Sequence, residues 1–95
     1  MNKLPNIHPG EVLLEEFLKP MGLSAYKLSK DLKIPQTRTS QIIKGKRRIT
    51  ADTALRLSKY FGTSVQFWLG LQNDYDIEEE LKTLSGTLDQ IPALS

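Results

Sequence analysis

The sequence predicts an all-α fold: five short helices packed as one compact domain, followed by a short helical or flexible tail. Three features point there. Apolar residues recur at three- and four-residue spacing in five separate windows, a proline, serine or threonine suited to starting a helix precedes each window, and no run alternates apolar and polar residues as a strand would. With 95 residues, 39% of them hydrophobic, the chain can fill one core but not two. The domain is expected over residues 9–73, between an N-terminal arm (1–8) and an acidic tail (74–95).

The first helix follows Pro9 and Gly10, with Leu13, Leu14, Phe17 and Leu18 at helical spacing, acids in its first turns, and Lys19-Pro20 expected to stop it. Ser24 is a natural N-cap for a second helix, Ala25 to Leu32, in which Ala25, Leu28, Ser29 and Leu32 share a face. After a turn at Lys33-Ile34, Pro35 opens a third helix running to Lys44, and Gly45 is placed to terminate it. Thr50 and Gly62 bracket a fourth helix, Ala51 to Phe61. Ser64 caps a fifth from Val65, whose stripe of Val65, Trp68 and Leu69 makes Trp68 a core residue first and a dimer contact second.

Charge is distributed in blocks. Between Tyr26 and Arg48, eight basic residues face Asp31 alone, a local charge of +7, whereas from Asp74 to Gln90 six acids face Lys82 alone, −5. Several function classes fall away on composition. Zero cysteines exclude disulfides, thiolate nucleophiles and the common structural zinc site, and the one histidine, His8, sits before a Pro-Gly pair as a helix-start residue. No cofactor, metal or catalytic residue is expected, because there is no constellation of His, Cys and acids, and Glu78-Glu79-Glu80 on consecutive helical positions point in different directions. No apolar run is long enough to cross a bilayer and residues 1–5 lack a signal-peptide core, so the chain is expected in the cytoplasm with no membrane partner.

The informative segment is the second helix, turn and third helix. In the third helix Thr39, Ile42 and Ile43 cluster on one side, which must face the core. The opposite side carries Thr37 and Gln41 with Lys44, flanked by Arg38 and Ser40, and Gln36 stands at the N-terminal tip. Amides, hydroxyls and a guanidinium without a carboxylate suit base edges in a DNA major groove, where Gln pairs with adenine and Arg with guanine. The basic turn Lys44-Gly45-Lys46-Arg47-Arg48 is placed to anchor on phosphates and set the register of that helix.

The run from Leu28 to Lys46, with its small Ser29 and its Gly45-Lys46 pair, resembles the helix-turn-helix of the phage Cro/C1-repressor (Xre) superfamily. The flanks Ile7-His8-Pro9-Gly10-Glu11, Ile49 to Leu57, Phe61-Gly62-Thr63-Ser64 and Phe67 to Gln72 narrow the resemblance to the HigA group of antidote proteins. The resemblance implies a homodimer that binds an operator in its own promoter and neutralises a HigB-type toxin, an mRNA-cutting ribonuclease, by direct binding; two paired recognition helices require that operator to be palindromic. By position it assigns base reading to Gln36, Thr37, Arg38, Ser40 and Gln41, and phosphate binding to Ser24, Lys44, Lys46 and Arg48, with Arg47 in the same basic turn. Two residues depart from the superfamily pattern. Lys33 replaces a common turn glycine, at a cost of about 1 kcal/mol if its φ is positive, and Pro35 replaces a capping Ser or Thr.

A stand-alone repressor without a toxin partner needs the same groove-reading helix, so the residues leave it open. A pure protein-interaction module fits less well, since it would not require the polar and basic surface from Gln36 to Arg48. In the acidic tail, Ile77, Leu81, Leu84, Leu88 and Ile91 form a heptad-like stripe weakened by Gly86 and Pro92. Docking on the domain, dimer pairing and partner binding all remain open for it. Phe67, Leu71, Tyr75, Ile77 and Leu81 are the candidate dimer or partner contacts.

Overall fold

The computed structural model describes residues 5–94; residues 1–4 of the expected arm and Ser95 lie outside the described residues. Five helices account for the fold, and no strand occurs among the described residues. We label them α1 (residues 9–21), α2 (Ala25–Leu32), α3 (Gln36–Ile43), α4 (Ala51–Phe61) and α5 (Val65–Leu88).

Helix α1 corrects the expectation that Pro20 ends it. The helix is continuous through α-helical Pro9–Val12, π-helical Leu13–Leu18 and α-helical Lys19–Met21, and it stops at Gly22, whose φ is 60°. In a regular α-helix the Pro20 ring would press on the carbonyl of Glu16 and leave it without a donor. The wide turn, in which the Lys19 N–H reaches back to the Leu14 carbonyl, makes room just before the proline. His8 caps the start, its Nδ1 accepting the Gly10 N–H at 2.9 Å.

Ser24 and Ser64 cap as expected, accepting from the Lys27 and Phe67 N–H groups at 3.0 Å each. Thr50 occupies the N-cap position of α4 without a side-chain cap bond. Pro35 is the N-cap residue of α3 rather than its first helical residue, and α3 ends at Ile43, one residue before the expected Lys44. Gly45, with φ 75°, closes α3 through paired bonds from the Gly45 N–H to the Ile42 carbonyl and from the Lys46 N–H to the Gln41 carbonyl.

The core is Leu13, Leu18, Leu28, Leu32, Ile34, Ile42, Ile49, Ala54, Leu57 and Trp68. Trp68 is fully buried, its indole N–H donating to Thr63 Oγ1 at 2.7 Å and its ring 4.9 Å from that of Phe17. Burying an indole this way removes a large apolar area from water while leaving its one donor satisfied. Between α1 and α3 the backbones nearly touch: a Cβ on Gly10 would lie 1.7 Å from the Ile42 carbonyl oxygen. Only glycine permits that crossing.

Helix α5 runs unbroken for 24 residues, past Asn73 and through Gly86, carrying the acidic segment on the same rod as Trp68. Its first half packs on the domain, and its last turns extend away, which lengthens the molecule to 50 × 30 × 22 Å. No helix among the described residues is long and apolar enough to cross a membrane.

Candidate nucleic-acid interface

The reading of α3 as a helix with one inward and one outward side holds in the structure. Thr39 and Ile42 are buried and Ile43 is half-buried, while Gln36, Thr37, Gln41 and Lys44 are exposed. Gln36, Thr37, Ser40, Gln41, Lys44 and Lys46 together line one shallow open concavity, so the structure brings most of the expected base-reading and phosphate-binding groups onto a single surface. Arg38 stands apart: it is half-buried and donates to Asp52 on α4 at 2.9 Å. Asp52 also accepts from Arg56 Nε at 2.8 Å, and the two guanidiniums, Arg56 foremost, hold its carboxyl below the usual range.

The inward side fixes how α3 is presented. Ser29 Oγ donates to the Ala25 carbonyl at 2.8 Å and lies 2.7 Å from Thr39 Oγ1, a buried polar contact that joins α2 to α3. The turn between them is held by Arg56, whose Nη1 reaches the Leu32 and Lys33 carbonyls at 2.7 and 3.3 Å. Lys33 adopts φ 60°, the left-handed conformation anticipated for a glycine position, and is the sole non-glycine with positive φ among the described residues.

Beyond α3, the basic turn is tied back to α5. The buried Gln72 accepts the Ile49 N–H on Oε1 at 2.7 Å and donates from Nε2 to Asp76 at 2.9 Å. Asp76 in turn holds Arg48 at 2.8 Å. Arg47 donates to Gln41 Oε1 at 3.3 Å, while Lys44 and Lys46 extend into solvent. Ser24 is exposed at the start of α2. Gln72 and Asp76 escaped the sequence reading; their places four and eight residues after Trp68 were the available signal, since successive steps of four keep to one side of α5.

Of the candidate dimer or partner residues, Leu71 packs on the core and Tyr75 is half-buried, edge-on to His8 with ring centroids 4.9 Å apart. Asn6 Nδ2 bridges the Tyr75 carbonyl and Glu79 Oε2 at 3.0 and 2.9 Å, so Asn6 is pinned to α5. Phe67, Ile77 and Leu81 are exposed, as are Leu84, Leu88 and Ile91 farther along. No group of three His, Cys, Asp or Glu among the described residues could hold a metal ion.

Comparison with known proteins agrees with this arrangement. The HTH_3 helix-turn-helix family matches residues 14–68. Virulence-associated protein I of Dichelobacter nodosus is 54% identical over 77 residues, 81% of this chain and 71% of that protein. The chain spans 63 or 64% of the length of three further curated relatives. An addiction module antidote protein of the HigA family from Coxiella burnetii is 46% identical and superposes with a TM-score of 0.89, over 97% of this chain and all of that one. Pseudomonas aeruginosa antitoxin HigA, solved with the higBA promoter, is 36% identical with a TM-score of 0.91, over 96% of this chain and all of that one. This chain therefore belongs to the HTH_3 helix-turn-helix family and, within it, to the HigA group of antitoxins.

Proposed function

We propose that the chain is a sequence-specific transcriptional repressor acting as the antitoxin of a type II toxin–antitoxin module. It binds a palindromic operator as a homodimer, autoregulates its own operon, and neutralises a HigB-type mRNA-cleaving toxin by direct binding in the cytoplasm. It catalyses no reaction. The observation that carries the DNA reading is the outward side of α3: Gln36, Thr37, Ser40 and Gln41 with Lys44 and Lys46 around one open concavity, without a carboxylate among them. Such groups read base edges, and the lysines at the rim neutralise phosphates. In this reading Arg38 leaves Asp52 to reach a base or phosphate, while Ser24, Arg47 and Arg48 contact the backbone.

The dimer follows from what one short helix can distinguish. A single recognition helix reads only a few base pairs, and two such helices about 34 Å apart multiply the discrimination on a two-fold site. Phe67, Ile77 and Leu81 supply exposed apolar surface for the subunit or toxin contact.

Footprinting on the DNA that precedes the chain's own reading frame, with a random duplex as control, tests the repressor role. The expected result is protection of two half-sites one helical turn apart. Co-expression with any small basic protein encoded beside this chain tests the antitoxin role: growth arrest by that product alone, relieved by this chain, supports it. Protection without any such relief would leave a stand-alone repressor.

A further inference from the structure

The basic turn does not owe its position to the helix-turn-helix alone. A chain of contacts runs from its distal end into α5: the Ile49 N–H to Gln72 Oε1, Gln72 Nε2 to Asp76 Oδ1, and Asp76 Oδ2 to Arg48 Nη2, at 2.7, 2.9 and 2.8 Å. Gln72 is 2% exposed, so its amide is locked in one orientation by two bonds that use both of its ends. Asp76 is thereby held against Arg48 in an ion pair, while the guanidinium keeps its N–H donors for other partners. The Arg48 side chain is 59% exposed and lines one open concavity with Lys46 and Arg47.

We propose that Gln72 and Asp76 are positioning residues for DNA binding: they hold Arg48 and the turn from Lys44 to Arg48 in the geometry that meets the phosphate backbone. The inference rests on the operator-binding reading above. The alternative role for Asp76 is a rival of phosphate, an acid that occupies Arg48 and must be displaced. The two roles predict opposite signs, because a carboxylate that merely competes weakens binding while one that orients strengthens it. Orientation is favoured by the second oxygen of Asp76 being fixed on a buried amide, which a simple counter-ion does not need.

The test measures operator affinity against salt for the full chain and for Asp76→Asn, Gln72→Met and Arg48→Ala, with a double variant Asp76→Asn/Arg48→Ala. Asp76→Asn is expected to weaken binding roughly tenfold and to flatten the log–log salt slope by about one unit, the signature of one lost phosphate contact. In the Arg48→Ala background the same change should have little further effect. Gln72→Met alters no charge and should lower affinity in the same direction. If it fails to fold, Asp76→Asn decides, since Asp76 is partly exposed and tolerates the change.

Tighter or unchanged binding by Asp76→Asn overturns the proposal, as does an equal loss with and without Arg48. Faster exchange of the Ile49 amide in Asp76→Asn and Gln72→Met checks the tether without DNA. Should the parent chain bind no DNA, the operator reading fails by itself; unaltered Ile49 exchange in both variants would overturn the tether independently.

Discussion

The hydroxyls of Ser29 and Thr39 lie 2.7 Å apart at the crossing of α2 and α3, both buried. Their roles are unequal. Ser29 gives its proton to the Ala25 carbonyl, so the contact is completed by the Thr39 hydroxyl donating to Ser29 Oγ. Ser29→Ala should therefore strand a buried hydroxyl and cost about 1–2 kcal/mol, whereas Thr39→Val leaves Ser29 its acceptor and should cost less than about 1 kcal/mol. The double variant should cost less than the two together. Urea unfolding of the three variants checks the order, and equal single losses would contradict it.

Lys33→Gly should stabilise the protein. Removing the side chain at φ 60° relieves about 1 kcal/mol of left-handed strain, and the greater freedom of glycine in the unfolded chain takes back part of it. A net gain of about 0.5 kcal/mol in denaturant unfolding is expected, with the Arg56 bonds to the turn carbonyls retained.

Stability should fall with acid through His8. Burial pushes its pKa below the ordinary 6.5, with the nearby Asp76 charge a smaller opposing influence, and Nδ1 must stay unprotonated to accept the Gly10 N–H. With the folded value below the unfolded one, the contribution is complete above 6.5 and is lost as pH falls through the folded value. Thermal melts from about pH 7 to about pH 5.5, above the carboxylate range, should show the decline. His8→Asn, which can cap but does not titrate in this window, should flatten it.

Sequence discrimination should reside in Gln41. Gln41→Ala is expected to cost about 1–3 kcal/mol on the operator and far less on random DNA, measured by competition binding. Equal losses on both would make Gln41 a backbone contact.

A truncation after Lys82 separates the two halves of α5. It keeps the contacts of Gln72, Tyr75, Asp76 and Glu79 and removes Leu84, Leu88 and Ile91, all exposed. Thermal stability of the monomer should change little, while sedimentation should show weaker dimerisation and operator binding should decline if the stripe pairs subunits. Unchanged self-association would exclude residues 83–95 from the dimer contact.

The sequence alone determined the five helices, most of their caps and the face of α3 that turns outward. These are local properties: the 3.6-residue period, the side chains of Ser24 and Ser64, and the positive φ that Gly45 and Gly62 admit all act within a few residues. It even marked Lys33 as a residue in a glycine's conformation. Tertiary structure decided the rest. Pro20 carries a strong stop signal, yet packing of Leu13, Phe17 and Leu18 keeps α1 whole and a π turn absorbs the ring. Gly86 weakens α5 by about 1 kcal/mol without breaking it, because the helix is already nucleated on Trp68 and Gln72. Arg38 reads in sequence as a free groove-facing cation, but Asp52, fourteen residues away on α4, holds it in the folded protein. The tether joins Gln72 to Ile49, 23 residues away, and Asp76 to Arg48, and such distant pairings exist only once the chain has closed on itself, since no periodicity encodes which distant backbone N–H a buried amide will meet.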